Sequence, residues 1–260
     1  MEKTLNTSKE FFEKYTDSFN VLAADQQRNI EIKKQHSYRV AENAKWLALK
    51  LKQDAEGEKI AYTSGLLHDI GRFQQLADFN TFDDAKSLDH ADFAIKLLKE
   101  KQVLEAADEE IRELIFTAIG LHNKFQIPKK LSDRELLYIN ILRDADKLDI
   151  LKVITDYYSN KNQKPNHTLT WELPKGTVVS KQVAKEILAG KQVSKQSVKT
   201  DIDVKIMQLS WIFDLNFRPS IEYVLENRFL EKIYNTLSKS DTIIEIYRKV
   251  KVYAENKILV

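Results

Sequence analysis

The sequence predicts an all-α protein, and three observations carry that prediction. Turn formers are scarce, with 6 Gly and 4 Pro in 260 residues. The stretches between them are rich in Lys, Glu, Leu, Ala and Gln, whose side chains lose little rotamer freedom in a helix. Apolar residues recur at helical spacing rather than in alternation over most of the chain. The length suffices for one sizeable core, or for one core with an appended helical region.

Residues 5–24 read as a helical leader with Phe11, Phe12, Tyr15 and Phe19 on one face. Residues 29–52 form a long amphipathic helix whose stripe is Ile32, His36, Val40, Ala44, Leu47 and Leu51. After a charged break at 53–57, a helix over 59–70 ends at Gly71, a natural residue just past a helix end because it tolerates left-handed backbone. Residues 72–88 show no clean period and read as a loop or broken helix, a connection long enough to be functional. Helices follow at 89–101, 109–122 and 132–158. At 160–179 the composition shifts toward Asn, Lys, Pro and Thr, which reads as a loop with a short hairpin. Residues 181–257 are helical again, with a break at Pro219. The predicted organisation is a leader (1–28), a helical core (29–158) and a helical C-terminal extension (159–260) packing on it.

Composition excludes several kinds of chemistry. Without Cys there is no disulfide, no thiolate nucleophile and no Cys-based metal site, so any transition-metal site uses His and carboxylates. A formal charge of +2 with acids and bases interspersed gives no track for a nucleic-acid polymer. The N-terminal residues carry no apolar secretory segment, and no apolar run is long enough to cross a bilayer, so the expectation is a cytoplasmic protein without a membrane partner. Homo-oligomerisation stays open. Neither a phosphate-binding G-x-x-x-x-G-K-[ST] loop nor a G-x-S-x-G nucleophile elbow occurs.

The polar residues that interrupt apolar helix faces carry the chemistry. His36 breaks the stripe of the first long helix. His68 and Asp69 sit together at the end of an apolar helix, in GLLHDIGRF. His122 continues the stripe Ile111, Ile115, Ala118, Ile119, and Asp146 lies on the stripe Ile139, Leu142, Asp149, Val153 in LRDADKLDIL. One histidine alone is more often a hydrogen-bonded core residue, and the plainer alternative for Asp146 is an ion pair with Arg143 or Lys147. A buried carboxylate costs roughly several kcal/mol unless paired or bound to metal. Several helices each turning a hard or borderline ligand inward fit a metal site better than unrelated core residues do.

The ordered set His36, His68-Asp69 and Asp146, with the contexts HSYRVAENA, GLLHDIGRF and DADKLD, resembles the HD-domain metal-dependent phosphohydrolases over about residues 30–155. The resemblance implies a compact helical bundle enclosing divalent ions. His90 (LDHADF) and His122 (GLHNK) fall in the order found in two-metal members. By that likeness Asp69 bridges two ions, His36, His68 and Asp146 complete one, and His90 and His122 complete the other, with His68 and Asp69 at the catalytic heart. Asp144 is the alternative to Asp146, which the ADxxD register favours. The implied ions are Mn, Fe, Co, Zn or Mg, and the implied reaction is attack of a metal-activated water on a phosphoester. The GYP motif of the cyclic-dinucleotide branch is absent, since Asn123, Lys124 and Phe125 follow His122.

Arg72, Lys86 and Lys147 flank these ligands and are expected to contact substrate phosphate, Arg as a fork and Lys as a point charge, against the plainer alternative of solvated surface bases. Phe73, Phe79 and Phe82 are placed either to stack on a base or to pack on the bundle. His167 reads as a surface residue. The expected substrate is a small nucleotide or related phosphorylated metabolite. Two other functions keep the same frame: a non-catalytic metal or nucleotide sensor, and an HD-like di-iron oxygenase.

Overall fold

The structure is a computed structural model that describes residues 1–160, 171 and 173–259. Helices are the only regular secondary structure among the described residues. They fall into two compact units, Met1–Asp149 and Ile150–Val260.

The first unit contains α1 (Glu2–Asp17), α2 (Ala24–Lys50), α3 (Ala55–Leu67), α4 (Ile70–Phe79), α5 (His90–Glu100), α6 (Glu109–Leu121) and most of α7 (Asp133–Ser159). The centre of the unit is α3, buried along its length from Ile60 to Leu67, as a helix apolar on every side must be. Its main neighbour is α2, which presents fully buried Ala41, Ala44 and Ala48. A Cβ on Gly65 would stand 2.7 Å from the Ala41 Cα, so the two backbones meet where neither side has bulk. The leader is helical as expected. Phe12 of α1 is wholly buried, edge-on to Tyr38 and Phe73 at ring distances of 5.2 and 5.9 Å. Burial of such a ring stabilises by roughly 1.5–3 kcal/mol.

One sequence expectation changes here and an open one is decided. Gly71 does not end a helix. The chain breaks between Leu67 and Ile70, and Gly71 lies inside α4. Its role is close approach, because a Cβ there would come within 2.4 Å of the His90 carbonyl oxygen at the start of α5. Residues 72–88 take the broken-helix reading, with α4 running to Phe79. Ile70, Phe73 and Leu76 form a buried face of α4, obscured in the sequence by Gln75, a polar residue that is itself buried. Asn80 ends α4 in the left-handed region (φ 51°), and a 3-10 turn follows at Asp84–Lys86. The next helix starts sharply: Asp89 accepts from the Ala91 and Asp92 amides and is itself held by Lys124 at 2.6 Å.

In the second unit, α8 (Lys181–Leu188), α9 (Asp201–Ser210), α10 (Arg218–Glu226), α11 (Phe229–Tyr234) and α12 (Asp241–Leu259) pack around Val183, Ile187, Leu209, Val224, Ile233 and Ile246. Buried Asp203 organises the approach to α9: it accepts from the Ser180 amide and hydroxyl and from the Lys199 and Thr200 amides at 2.6–3.2 Å. Pro219 stands in the first turn of α10, starting a helix rather than breaking one, since its missing N–H has no partner to lose there. The expected hairpin and His167 fall on residues 161–170 and 172, outside the described residues, and 173–179 form no strand.

Candidate metal centre

Five elements deliver the six predicted ligands to one place. His36 comes from mid-α2, His68 caps α3, Asp69 stands in the break before α4, His90 opens α5, His122 caps α6 and Asp146 projects from α7. The two oxygens of Asp69 divide the cluster. Oδ2 lies 3.5 Å from the Nε2 atoms of both His36 and His68. Oδ1 lies 3.3 Å from His90 Nε2 and 3.9 Å from His122 Nε2. Asp146 Oδ1 closes the first half at 3.2 Å from His36 and 3.8 Å from His68. Asp144 is buried but is not among the clustered donors of the described residues.

All four rings are anchored through the nitrogen that faces away from the cluster. His36 Nδ1 meets Asp149 at 2.6 Å, and His90 Nδ1 meets Asp84 at 2.7 Å. His68 Nδ1 meets the Gly65 carbonyl at 2.7 Å, and His122 Nδ1 the Ile119 carbonyl at 2.6 Å. Carboxylates and carbonyls only accept, so each Nδ1 donates and each Nε2 is left as a lone pair aimed inward. Both carbonyls belong to the last turn of the helix that the histidine caps, where helix ends leave acceptors unsatisfied.

Charge favours the lone-pair form at His90 and His122 and opposes it at His36. Burial alone would raise the pKa of Asp69, but Lys33, His68 and His90 outweigh it and hold the carboxyl well below its usual range. Asp146 is likewise depressed against its burial, by His36 and His68. Burial and Lys33 oppose protonation of His36, yet Asp146 and Asp149 prevail and raise its pKa. Burial, with His68 and His90 nearby, pushes His122 down to about 3, and burial lowers His90 as well.

The donor atoms fit a metal. His36 Nε2 and His68 Nε2 are buried without a hydrogen bond. His90 Nε2 and His122 Nε2 lie 3.1 Å apart. Placing a proton between them would turn one Nδ1 lone pair onto Asp84 or onto the Ile119 carbonyl, so every neutral tautomer leaves one pair of lone pairs opposed. A cation removes the conflict. Nitrogens at that separation subtend about 95° at an ion roughly 2.1 Å from each, a normal angle between adjacent ligands.

The cations expected at the mouth divide. Arg72 is engaged by the protein itself: Nη1 donates to Asp84, to the Phe82 carbonyl and to Gln75 at 2.6–2.8 Å. Nη1 is thereby committed to these partners, while Nε, buried without a hydrogen bond, lies 3.5 Å from Asp69 Oδ1. Lys86 stands out from the 3-10 turn, its side chain 76% exposed and 3.7 Å from Asp83. Lys147 is half-buried beside Asp146.

Sequence reasoning missed Lys33, whose Nζ reaches Asp69 Oδ2 at 2.7 Å. The signal was available, because Lys33 precedes His36 by three residues and shares its helix face. Asp149 had entered only as a register mate of Asp146, yet it holds His36 and is itself gripped by Arg39 Nε at 2.6 Å. Asp84 gave no sequence signal.

Among the described residues no helix is long and apolar enough to cross a membrane. No curated protein and no solved structure matches the chain. Residues 34–151 match the family model of the HD domain. That span begins just before His36 and ends just after Asp149, taking in all six clustered ligands. The helices that build this centre are thus the part of the chain that matches the HD-domain family model.

Proposed function

We propose that the chain is a divalent-metal-dependent phosphohydrolase acting on a small nucleotide or a related phosphorylated metabolite. The observation that carries this reading is the set of anchored imidazoles whose free Nε2 atoms face the two oxygens of Asp69. Ions bound there would supply Lewis acidity and lower the pKa of an attacking water. His36, His68, Asp69 and Asp146 would hold one ion, and Asp69, His90 and His122 a second. Such an imidazole-rich set suits Mn, Fe, Co or Zn better than Mg.

The chain's own groups supply the rest. Lys33, released from Asp69 once an ion occupies it, leaves an ammonium at the rim for a phosphoryl oxygen. Asp149 keeps the Nδ1 proton of His36 in place, so that ring acts as a ligand and not as an acid. Without a thiol in the sequence and without a nucleophile elbow, direct attack by water is the economical route. Phe82 supports a nucleotide, since its half-buried ring lies 5.6 Å from Lys33 Nζ and 6.0 Å from the Arg72 guanidinium, an aromatic surface close to two cations. Phe73, by contrast, is a core residue at 0% exposure, and Phe79 is an exposed apolar side chain.

A phosphate-release screen over nucleoside mono-, di- and triphosphates and dinucleoside polyphosphates, with Mn, Mg, Co and Fe supplied in turn, tests the reading. Release that a chelator and Asp69→Ala both abolish is the expected result. Metal bound without release from any phosphoester would leave a sensor, and oxygen consumption by the iron form would leave an oxygenase. Cleavage of a non-nucleotide phosphoester alone would overturn only the substrate class.

A further inference from the structure

His90 is the one clustered histidine that opens its helix. His68 and His122 cap theirs and find a carbonyl three residues back, inside a finished helical turn. His36 lies mid-helix and is held from α7. At the start of α5 there is no preceding turn, so the Nδ1 anchor must come from elsewhere. It comes from Asp84, in the 3-10 turn of the strap formed by residues 80–88.

Asp84 is braced on its other oxygen. Its Oδ1 accepts from Arg72 Nη1 at 2.7 Å and from Gln75 Nε2 at 2.9 Å. Gln75, fully buried, also donates to Ser87 Oγ at 2.8 Å and to the Leu88 carbonyl at 3.1 Å. Arg72 ties in the Phe82 carbonyl at 2.6 Å. The strap is thus fastened to α4 at several points, and Asp84 passes that order to one imidazole. Neither the HD motif nor its ligand spacing includes these residues.

We propose that Asp84 is a positioning residue for the His90–His122 half of the centre, fixing His90 in the Nδ1–H tautomer that presents Nε2, with Arg72 and Gln75 holding Asp84 in place. The proposal rests on the reading of His90 and His122 as donors to a second ion. A carboxylate partner orients a ligating imidazole and raises its basicity, and loss of such a partner weakens metal binding about 10–100-fold.

The substitution Asp84→Asn is the informative one, because it keeps the size and inverts the chemistry. Arg72 and Gln75 both donate and would claim the single amide oxygen, turning the amide nitrogen toward His90. That nitrogen donates too, so His90 Nδ1 must accept, and the proton moves to Nε2. Long-range 1H–15N spectra of metal-free, histidine-labelled protein read this directly. Wild type is expected to show His90 protonated on Nδ1, Asp84→Asn on Nε2, and Asp84→Ala a mixture. Titration with Mn should show two equivalents in wild type, with the second weakened about 10–100-fold in both variants and the first unchanged. Asp84→Glu should restore the Nδ1–H form at least in part.

An unchanged His90 tautomer in Asp84→Asn, or a second-equivalent Kd within twofold of wild type, overturns the proposal. If Asp84→Ala loses its helical circular dichroism, the Asn and Glu pair decides alone. If wild type takes up one equivalent only, the two-ion reading fails, while the tautomer in the metal-free protein still decides the role of Asp84.

Discussion

Replacing Lys33 by Met tests whether the centre is balanced by a built-in cation when no ion is bound. Lys33 Nζ lies 2.7 Å from Asp69 Oδ2, with side-chain exposures of 18% and 4%. Removing one partner of a buried pair typically costs about 3–5 kcal/mol, because the other charge is left uncompensated. Here the loss is smaller, since Lys33 reaches the rim and Arg72 Nε still lies 3.5 Å from Asp69 Oδ1. A loss of about 1–2 kcal/mol is a reasonable magnitude for the metal-free protein, equivalent to roughly 2–8 °C in Tm at this chain length. In the loaded protein the ion takes over Asp69 and Lys33 is displaced, so the variant loses little. The difference must reappear as affinity: Lys33→Met should bind Mn about 5- to 30-fold more tightly than wild type. Calorimetric melting in chelator and in saturating Mn, with a competition titration for affinity, measures both sides. A variant as stable as wild type in chelator, or one that binds Mn more weakly, refutes the reasoning.

Three further outcomes follow from the geometry. Asp69→Ala should empty both halves of the centre, whereas His122→Ala should halve the bound metal and leave the His36–His68–Asp146 half loaded, as elemental analysis of purified variants would show. The metal-free protein should lose stability as pH falls from neutral. His122 has a folded-state pKa of about 3, so protons favour the unfolded chain below about 6.5. Asp69 and Asp146 act in the same direction, their contributions being present above the ordinary carboxylate pKa and lost as pH falls toward their depressed values. His36 alone acts oppositely, its contribution fading as pH rises through its raised pKa. A urea midpoint in chelator that stays flat from pH 7 to pH 4 would contradict this balance. Gly71→Ala would place a Cβ within 2.4 Å of the His90 carbonyl, so it should destabilise by roughly 1–3 kcal/mol and weaken the second equivalent of metal; wild-type melting and stoichiometry would refute the close-approach role.

The parts of the site that were legible in the sequence are those that violate a pattern. His36 and Asp146 stand out because polar groups break apolar helical stripes, and the His68-Asp69 pair because it ends an apolar run. The all-α fold follows from the same periodicity. What was not legible depends on partners that no period connects. The tie between Arg72 and Asp84 is one such case, since the two lie twelve residues apart in a segment without periodicity. Gln75 hid the apolar face of α4, since a buried, hydrogen-bonded polar residue looks like an exposed one in a sequence. Gly71 was assigned to a helix end on its tolerance of left-handed backbone, when its use is the absence of a side chain against His90. The carbonyl anchors of Gly65 and Ile119 are backbone atoms and leave no mark on residue type.

The anchoring of the four rings also bears on how quickly metal enters. Ordering a free side chain around an incoming ligand costs on the order of 0.5–1.5 kcal/mol each. Here the helix ends and the carboxylates of Asp84 and Asp149 have ordered the imidazoles during folding, so an arriving ion finds its imidazoles already aimed. Loading then needs the displacement of Lys33 from Asp69 and the shedding of the ion's own water shell. Ions that release water readily, such as Mn, should load fast, while Mg, which dehydrates reluctantly, should load slowly even where its final affinity suffices.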